Sequence, residues 1–303
     1  MLRKSLAIIS LVAITAHPAL AGSPQPEAII SALESAYNHP RMFFTANTVE
    51  NTTSLDELSA SIPQNYVQRY CRDGKKLDVS AEAESPAPPV AADAASRYER
   101  LVLTPSTRVA LRNGEAVDAV PVAARPAADS DARSFALDLL HGGEALDGYL
   151  AGDLEPLPQV LREAKSVKVR PEMEVVGDTP CVVVEATSKH GLYTLWLDES
   201  NDATLRKAEV VKNNGDQYKD LPRLGAMTVD GAPVQRTRFT MDNVAVEKIN
   251  GKAVPVSARM ETTFTLTDGR TQTIRREHTR SGMDLNPDFT AIGAFNVDPN
   301  AGR

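Results

Sequence analysis

The sequence predicts an α+β protein that is mainly β, a long antiparallel meander forming a barrel or a strongly curved sheet. Three observations carry this. Short β-type segments are punctuated at even intervals by Asn-Gly and Asp-Gly pairs, which suit tight hairpin turns. One segment alternates cleanly, with Ala258, Met260, Thr262, Phe264 and Leu266 on one side and Arg259, Glu261, Thr263, Thr265 and Thr267 on the other. A side-chain period of two makes that one dry face and one wet face. Finally, only three later stretches, roughly residues 27–38, 134–141 and 157–164, carry helical character.

The first segment reads as an address. Arg3 and Lys4 precede the apolar run Leu6 to Ile14, and Ala19-Leu20-Ala21 has the small-x-small pattern of a signal-peptide cleavage site. An amphipathic first helix is the alternative, but the run is too short for a permanent span, which needs about 20 residues. Cleavage after Ala21 places the product in the periplasm or outside the cell and leaves residues 22–303 as one domain.

The mature elements follow in order. Pro26 suits a first helical turn, Ile29, Ile30, Leu33, Ala36 and Tyr37 repeat at helical spacing, and Pro40 stops the helix. Arg41 to Thr53 then turns β-like, with Met42, Phe44 and Ala46 on one parity. Tyr66 to Arg72 and Lys75 to Ala81 flank Asp73-Gly74; Arg97 to Leu103 and Arg108 to Arg112 form another pair ending at Asn113-Gly114. Residues 85–96 and 117–134 are rich in Ala, Pro and Asp and are expected as insertions with little to bury. Helical segments follow, the first stopped at Gly142-Gly143. From Val167 the strands are dense: Val167 to Val176, Cys181 to Thr187, Leu192 to Asp198, Lys207 to Lys212, Phe239 to Lys248, Val254 to Thr267 and Arg270 to Thr279.

Composition narrows the function. The chain has 303 residues, with 33 Lys plus Arg against 40 Asp plus Glu; a nucleic-acid binder shows a basic surplus instead. Two cysteines cannot form a cysteine-ligated zinc site. Cys71 and Cys181 are either a candidate disulfide in an oxidising compartment or two separate core thiols. No GxSxG, HExxH, CxxC, P-loop or EF-hand pattern occurs. His190 falls in a turn and His278 on a charged strand, so both are expected to be solvated. Asp138, Asp147 and Asp153 lie near helices, where capping and solvated roles dominate. Trp196 is expected to pack rather than to face a ligand. These features point to binding rather than catalysis, with no cofactor, no metal and no transmembrane span.

The run Val175-Val176-Gly177-Asp178-Thr179-Pro180-Cys181-Val182-Val183-Val184-Glu185-Ala186, followed by Gly191-Leu192-Tyr193-Thr194-Leu195-Trp196-Leu197-Asp198, resembles the LolA/LolB-like superfamily. So do the closing segments Leu285 to Phe289 and Gly293 to Val297, and the order of signal peptide, helix and extended strand. The resemblance implies an unclosed β-barrel, a curved antiparallel sheet with helices covering its concave face. It also implies a periplasmic carrier of lipid acyl chains or of lipoprotein anchors, placed in outer-membrane lipoprotein sorting. This chain departs from the family in its length, in the two insertions and in lacking the anchor cysteine of the LolB branch.

Three helical stretches look too few to fill the concavity of about ten strands, so the dry face is expected to line a hollow. Ala258, Met260, Phe264 and Leu266 are the first candidates for that lining, with Val182 and Val184 next; ordinary core under the helices is the alternative for each. The competing function is an exported structural or protein-interaction module of the cell envelope, with a filled interior.

Overall fold

A computed structural model describes residues 24–53, 63–84, 98–105, 107–113, 115–121, 134 and 136–296. The expected signal peptide, the insertion at 85–96 and residues 122–133 of the second insertion lie outside them.

Helix α1 (Pro26–Tyr37) starts at its proline and buries Ile29, Ile30, Leu33 and Ala36. Six strands follow: β1 (Arg41–Thr52), β2 (Gln64–Asp73), β3 (Lys76–Glu84), β4 (Tyr98–Leu103), β5 (Thr107–Arg112) and β6 (Glu115–Pro121). Each pairs antiparallel with the next. Strand β6 takes up residues 115–121, so the start of the expected insertion is sheet; pairing with β5 supplies what its Ala-rich composition does not.

A helical crossing comes next, made of a turn at residues 136–139, a 3-10 turn (Gly143–Asp147) and α2 (Leu157–Arg162). The chain then returns through β7 (Ser166–Val169), β8 (Glu174–Val176), β9 (Thr179–Ser188), β10 (Gly191–Asp198), β11 (Thr204–Asn213), β12 (Thr228–Val229), β13 (Ala232–Ile249), β14 (Lys252–Leu266) and β15 (Thr271–Asp284).

The two meanders share one sheet because β15 pairs with β1, giving the order β6-β5-β4-β3-β2-β1-β15-β14-β13-β11-β10-β9-β7. Strands β6 and β7 form opposite edges and do not pair with each other. The sheet is therefore unclosed, and the helical crossing carries the chain from one edge to the other. Short β8 and β12 pair with β9 and β13 off the main path.

Local chemistry explains the turns. Asn250 and Gly251, both left-handed, join the opposed residues Ile249 and Lys252, the backbone a two-residue hairpin requires. The expected strand Val167 to Val176 is instead two strands, because Pro171 lacks the amide a ladder needs. Strand β13 runs longer than expected by absorbing an irregularity between Asp242 and Ala245, with Asn243 in the left-handed region.

The cores divide along the sheet. The largest places α1, the 3-10 turn and α2 on β9, β10, β11, β13 and β14, joining Ile29, Leu33, Leu146, Leu157 and Leu161 to Leu195, Val210 and Met241. A second joins Phe44, Tyr70, Val79 and Leu101 of the β1–β4 wing to Ala136, Leu139 and Leu140. Burying each such large apolar side chain contributes about 1.5–3 kcal/mol.

Candidate functional site

Among the described residues, α1, the 3-10 turn and α2 pack on β9–β14, whereas residues 136–140 and the segment after the 3-10 turn are what lies over β1–β4. Two clefts open there. One, of about 470 Å³, is lined by Tyr70, Arg72, Leu77, Leu103, Leu140 and Tyr149 among others. The other, of about 510 Å³, runs towards α1 and α2 past Met42, Tyr37 and Pro158. Tyr70, Arg72, Asp147 and Tyr149 line both clefts.

The floor is set by strand register. Met42, Arg72, Leu77 and Leu103 lie directly opposite one another across β1, β2, β3 and β4. Phe44, Tyr70, Val79 and Leu101 form the parallel row behind, with the Phe44 and Tyr70 rings stacked at 4.9 Å. Both rows face the helical side, and Arg72 is the one charge in either. Burial pushes the Tyr70 hydroxyl well above its ordinary pKa, which keeps it neutral. The roof comes from Ala136, Leu137 and Leu140 and from Asp147 and Tyr149.

Asp147 is held by Arg280, whose guanidinium donates to both carboxylate oxygens at 2.9 and 2.7 Å and to the Gly143 carbonyl at 2.8 Å. Beside it, His278 Nδ1 lies 2.7 Å from Thr48 Oγ1, which accepts from Gln68 Nε2 at 3.0 Å. Burial and the neighbouring Arg280 push His278 down to about 3. Burial likewise drives Glu144 of the 3-10 turn up to about 7.

The six residues expected to line a hollow are placed elsewhere. Val182, Val184, Ala258 and Met260 pack beneath α1, the 3-10 turn and α2. Phe264 and Leu266 belong to a separate core with Tyr218, Leu224 and Val234. All six are buried, and none lines either cleft.

Other expectations are corrected too. Cys71 and Cys181 are free buried thiols on β2 and β9, strands separated by six others in the sheet, and no disulfide joins them. Burial raises both to about 11. His190 and His278 are buried rather than solvated. Asp153 forms a buried ion pair with Lys212 and Asp147 a part-buried one with Arg280, rather than caps. Trp196 does pack, against Cys181 and Val183, and its Nε1 donates to Glu174 at 2.8 Å.

Asp153 organises a cluster with no local sequence signal. It pairs with the buried Lys212 at 2.5 Å, accepts from the Tyr193 hydroxyl at 2.7 Å and lies 3.4 Å from His190 Nδ1. These residue types suit catalysis, but the adjoining cavity beside Asp153 is only about 10 Å³, at the lower limit for one water. The cluster fastens the 148–156 segment to β10 and β11. Among the described residues no group of His, Cys, Asp and Glu could hold a metal ion, and no helix is long and apolar enough to cross a membrane.

No family model matches the chain, and no curated protein matches it. Among solved structures it is similar to a DUF1329 family protein from Desulfovibrio piger, at 10% identity and a TM-score of 0.46, covering 89% of this chain and 98% of that one. It is also similar to a LolA superfamily protein from Nitrosomonas europaea, at 15% identity and a TM-score of 0.40, covering 91% and 99%.

Proposed function

We propose that this is an exported, periplasmic binding protein that shelters an apolar or amphiphilic guest between the β1–β4 wing and the helical layer. The guest is a lipid acyl chain or the lipidated end of a lipoprotein, and outer-membrane lipoprotein sorting is the process such binding would serve. One observation carries the reading: two neighbouring clefts of about 470 and 510 Å³, with polar rims that include Lys75, Lys76, Glu34 and Arg162, lie over strand rows that are apolar except at Arg72. Each is within the usual size range of small-molecule sites. Burying each methylene there contributes about 0.8 kcal/mol, so affinity needs no catalytic group.

Native mass spectrometry of protein purified from the cell envelope tests this. Adducts of lipid mass that organic extraction removes, and that return on adding a long-chain fatty acid, are expected. An adduct-free protein that takes up no lipid overturns the reading.

The second reading, an envelope structural or interaction module, draws support from the filled wing, where Val182, Val184, Ala258 and Met260 are buried under helices. It expects a protein partner that survives delipidation in a pull-down from envelope extracts. Deleting residues 85–97 alone, which leaves β4–β6 in place, tests whether that insertion recruits it.

A further inference from the structure

We propose that Arg72, which lines both clefts, is an anion site, so that the preferred guest is a single-chain amphiphile with an anionic head such as a carboxylate. This rests on the reading of the clefts as a binding site and adds the chemistry of the head group. Arg72 is half-buried in the row Met42–Arg72–Leu77–Leu103, where its directly opposed and flanking neighbours are apolar. Among the described residues no carboxylate lies within ion-pair distance of it, and the hydrogen bond its guanidinium makes there is a long 3.5 Å approach of Nε to the Gly74 carbonyl.

The carboxylate that lines both clefts is already committed. Asp147 gives both oxygens to Arg280, which leaves Arg72 as uncompensated charge. The exposed Lys75 of the same rim also has no carboxylate partner among the described residues, whereas Lys76 stands 3.7 Å from Asp73. A local cationic surplus in a chain of net charge −7 runs against its overall balance. A guanidinium fork matches the two oxygens of a carboxylate, and such charge-assisted bonds are about twice as strong as neutral ones. Leu77, Leu103, Leu137 and Leu140 supply apolar wall for the chain of the same guest.

Isothermal titration of the purified protein with laurate and with dodecyltrimethylammonium, both below micelle formation, compares one chain length under opposite head charges. Laurate is expected to bind at least about tenfold more tightly, and Arg72→Gln to shrink that gap to within about threefold without weakening the cation. The gap is also expected to narrow in the unmodified protein as ionic strength rises from about 0.01 to about 0.15 M, because screening shortens from about 30 to about 8 Å; this arm does not depend on the variant folding. Equal affinity for the two heads, or a gap that survives both Arg72→Gln and salt, overturns the anion site while leaving the cleft as an apolar site. Failure of both amphiphiles to bind overturns the cleft reading and the anion site together.

Discussion

Arg280, on the central strand β15, grips Asp147 through two hydrogen bonds although 133 residues separate them. The guanidinium side chain is fully buried and the carboxylate 17% exposed, so this pair pins the 3-10 turn to the sheet beside the two clefts. Removing Asp147 leaves the fully buried Arg280 charge without its carboxylate. Asp147→Ala is expected to cost about 3–5 kcal/mol in urea unfolding, and Asp147→Leu with Arg280→Met to recover much of it. A loss below about 1 kcal/mol in the single variant would show that the pair does not hold the turn.

Gly143 meets His278 almost face to face. A Cβ placed on Gly143 would lie 2.2 Å from the imidazole Cε1, closer than any real contact. Gly143→Ala is expected to cost about 1–3 kcal/mol as an overpacked site. In the background of His278→Ala the same substitution should cost much less, and equal penalties in both backgrounds would contradict the close packing.

Three groups displaced mainly by desolvation contribute to the pH dependence. His278 and His141 fall to about 3 and about 4 in the folded chain, so between those values and about 6.5 the unfolded state binds more protons and stability rises with pH. Glu144 rises to about 7, so between about 4.5 and 7 the folded state holds the extra proton and stability falls with pH. Burial lowers His39 as well, so three histidines against one glutamate give a net loss of stability on acidification from about 6.5 towards 4. His278→Asn should flatten that acid limb and Glu144→Gln should steepen it below 6.5, read from urea midpoints across pH. Unchanged slopes would place the titrating groups elsewhere.

Much of the sheet was legible and most of the site was not. The dry and wet faces of β14 follow from a two-residue period, and the Asn250-Gly251 turn from its preference for left-handed backbone; both are local properties. Pro171 and the irregularity after Asp242 shifted strand limits through backbone chemistry that composition only hints at. The Met42–Arg72–Leu77–Leu103 row depends on register across four strands, which no single segment encodes. The Asp153–Lys212–Tyr193–His190 cluster joins residues up to 59 positions apart and resembles ordinary polar sequence until the chain folds. The count of helical stretches carries no information on which wing they cover, because that depends on where the crossing from β6 to β7 docks.

Both cysteines should behave as buried thiols. With each raised to about 11, native protein at pH 7.5 is expected to resist a thiol reagent, since the thiolate is the reactive form. Two equivalents should react in denaturant without reductant. A mass two hydrogens lower before reduction would establish the disulfide instead.

The central claim is that a guest occupies the cleft over β1–β4 and not the packed face over β9–β14. Methyl NMR during titration with laurate tests it most directly. Shifts concentrated at Met42, Leu77, Leu103, Leu137 and Leu140, with Val182, Val184 and Met260 unmoved, are the predicted result. A saturable response at Val182, Val184 and Met260, or none anywhere, would contradict it.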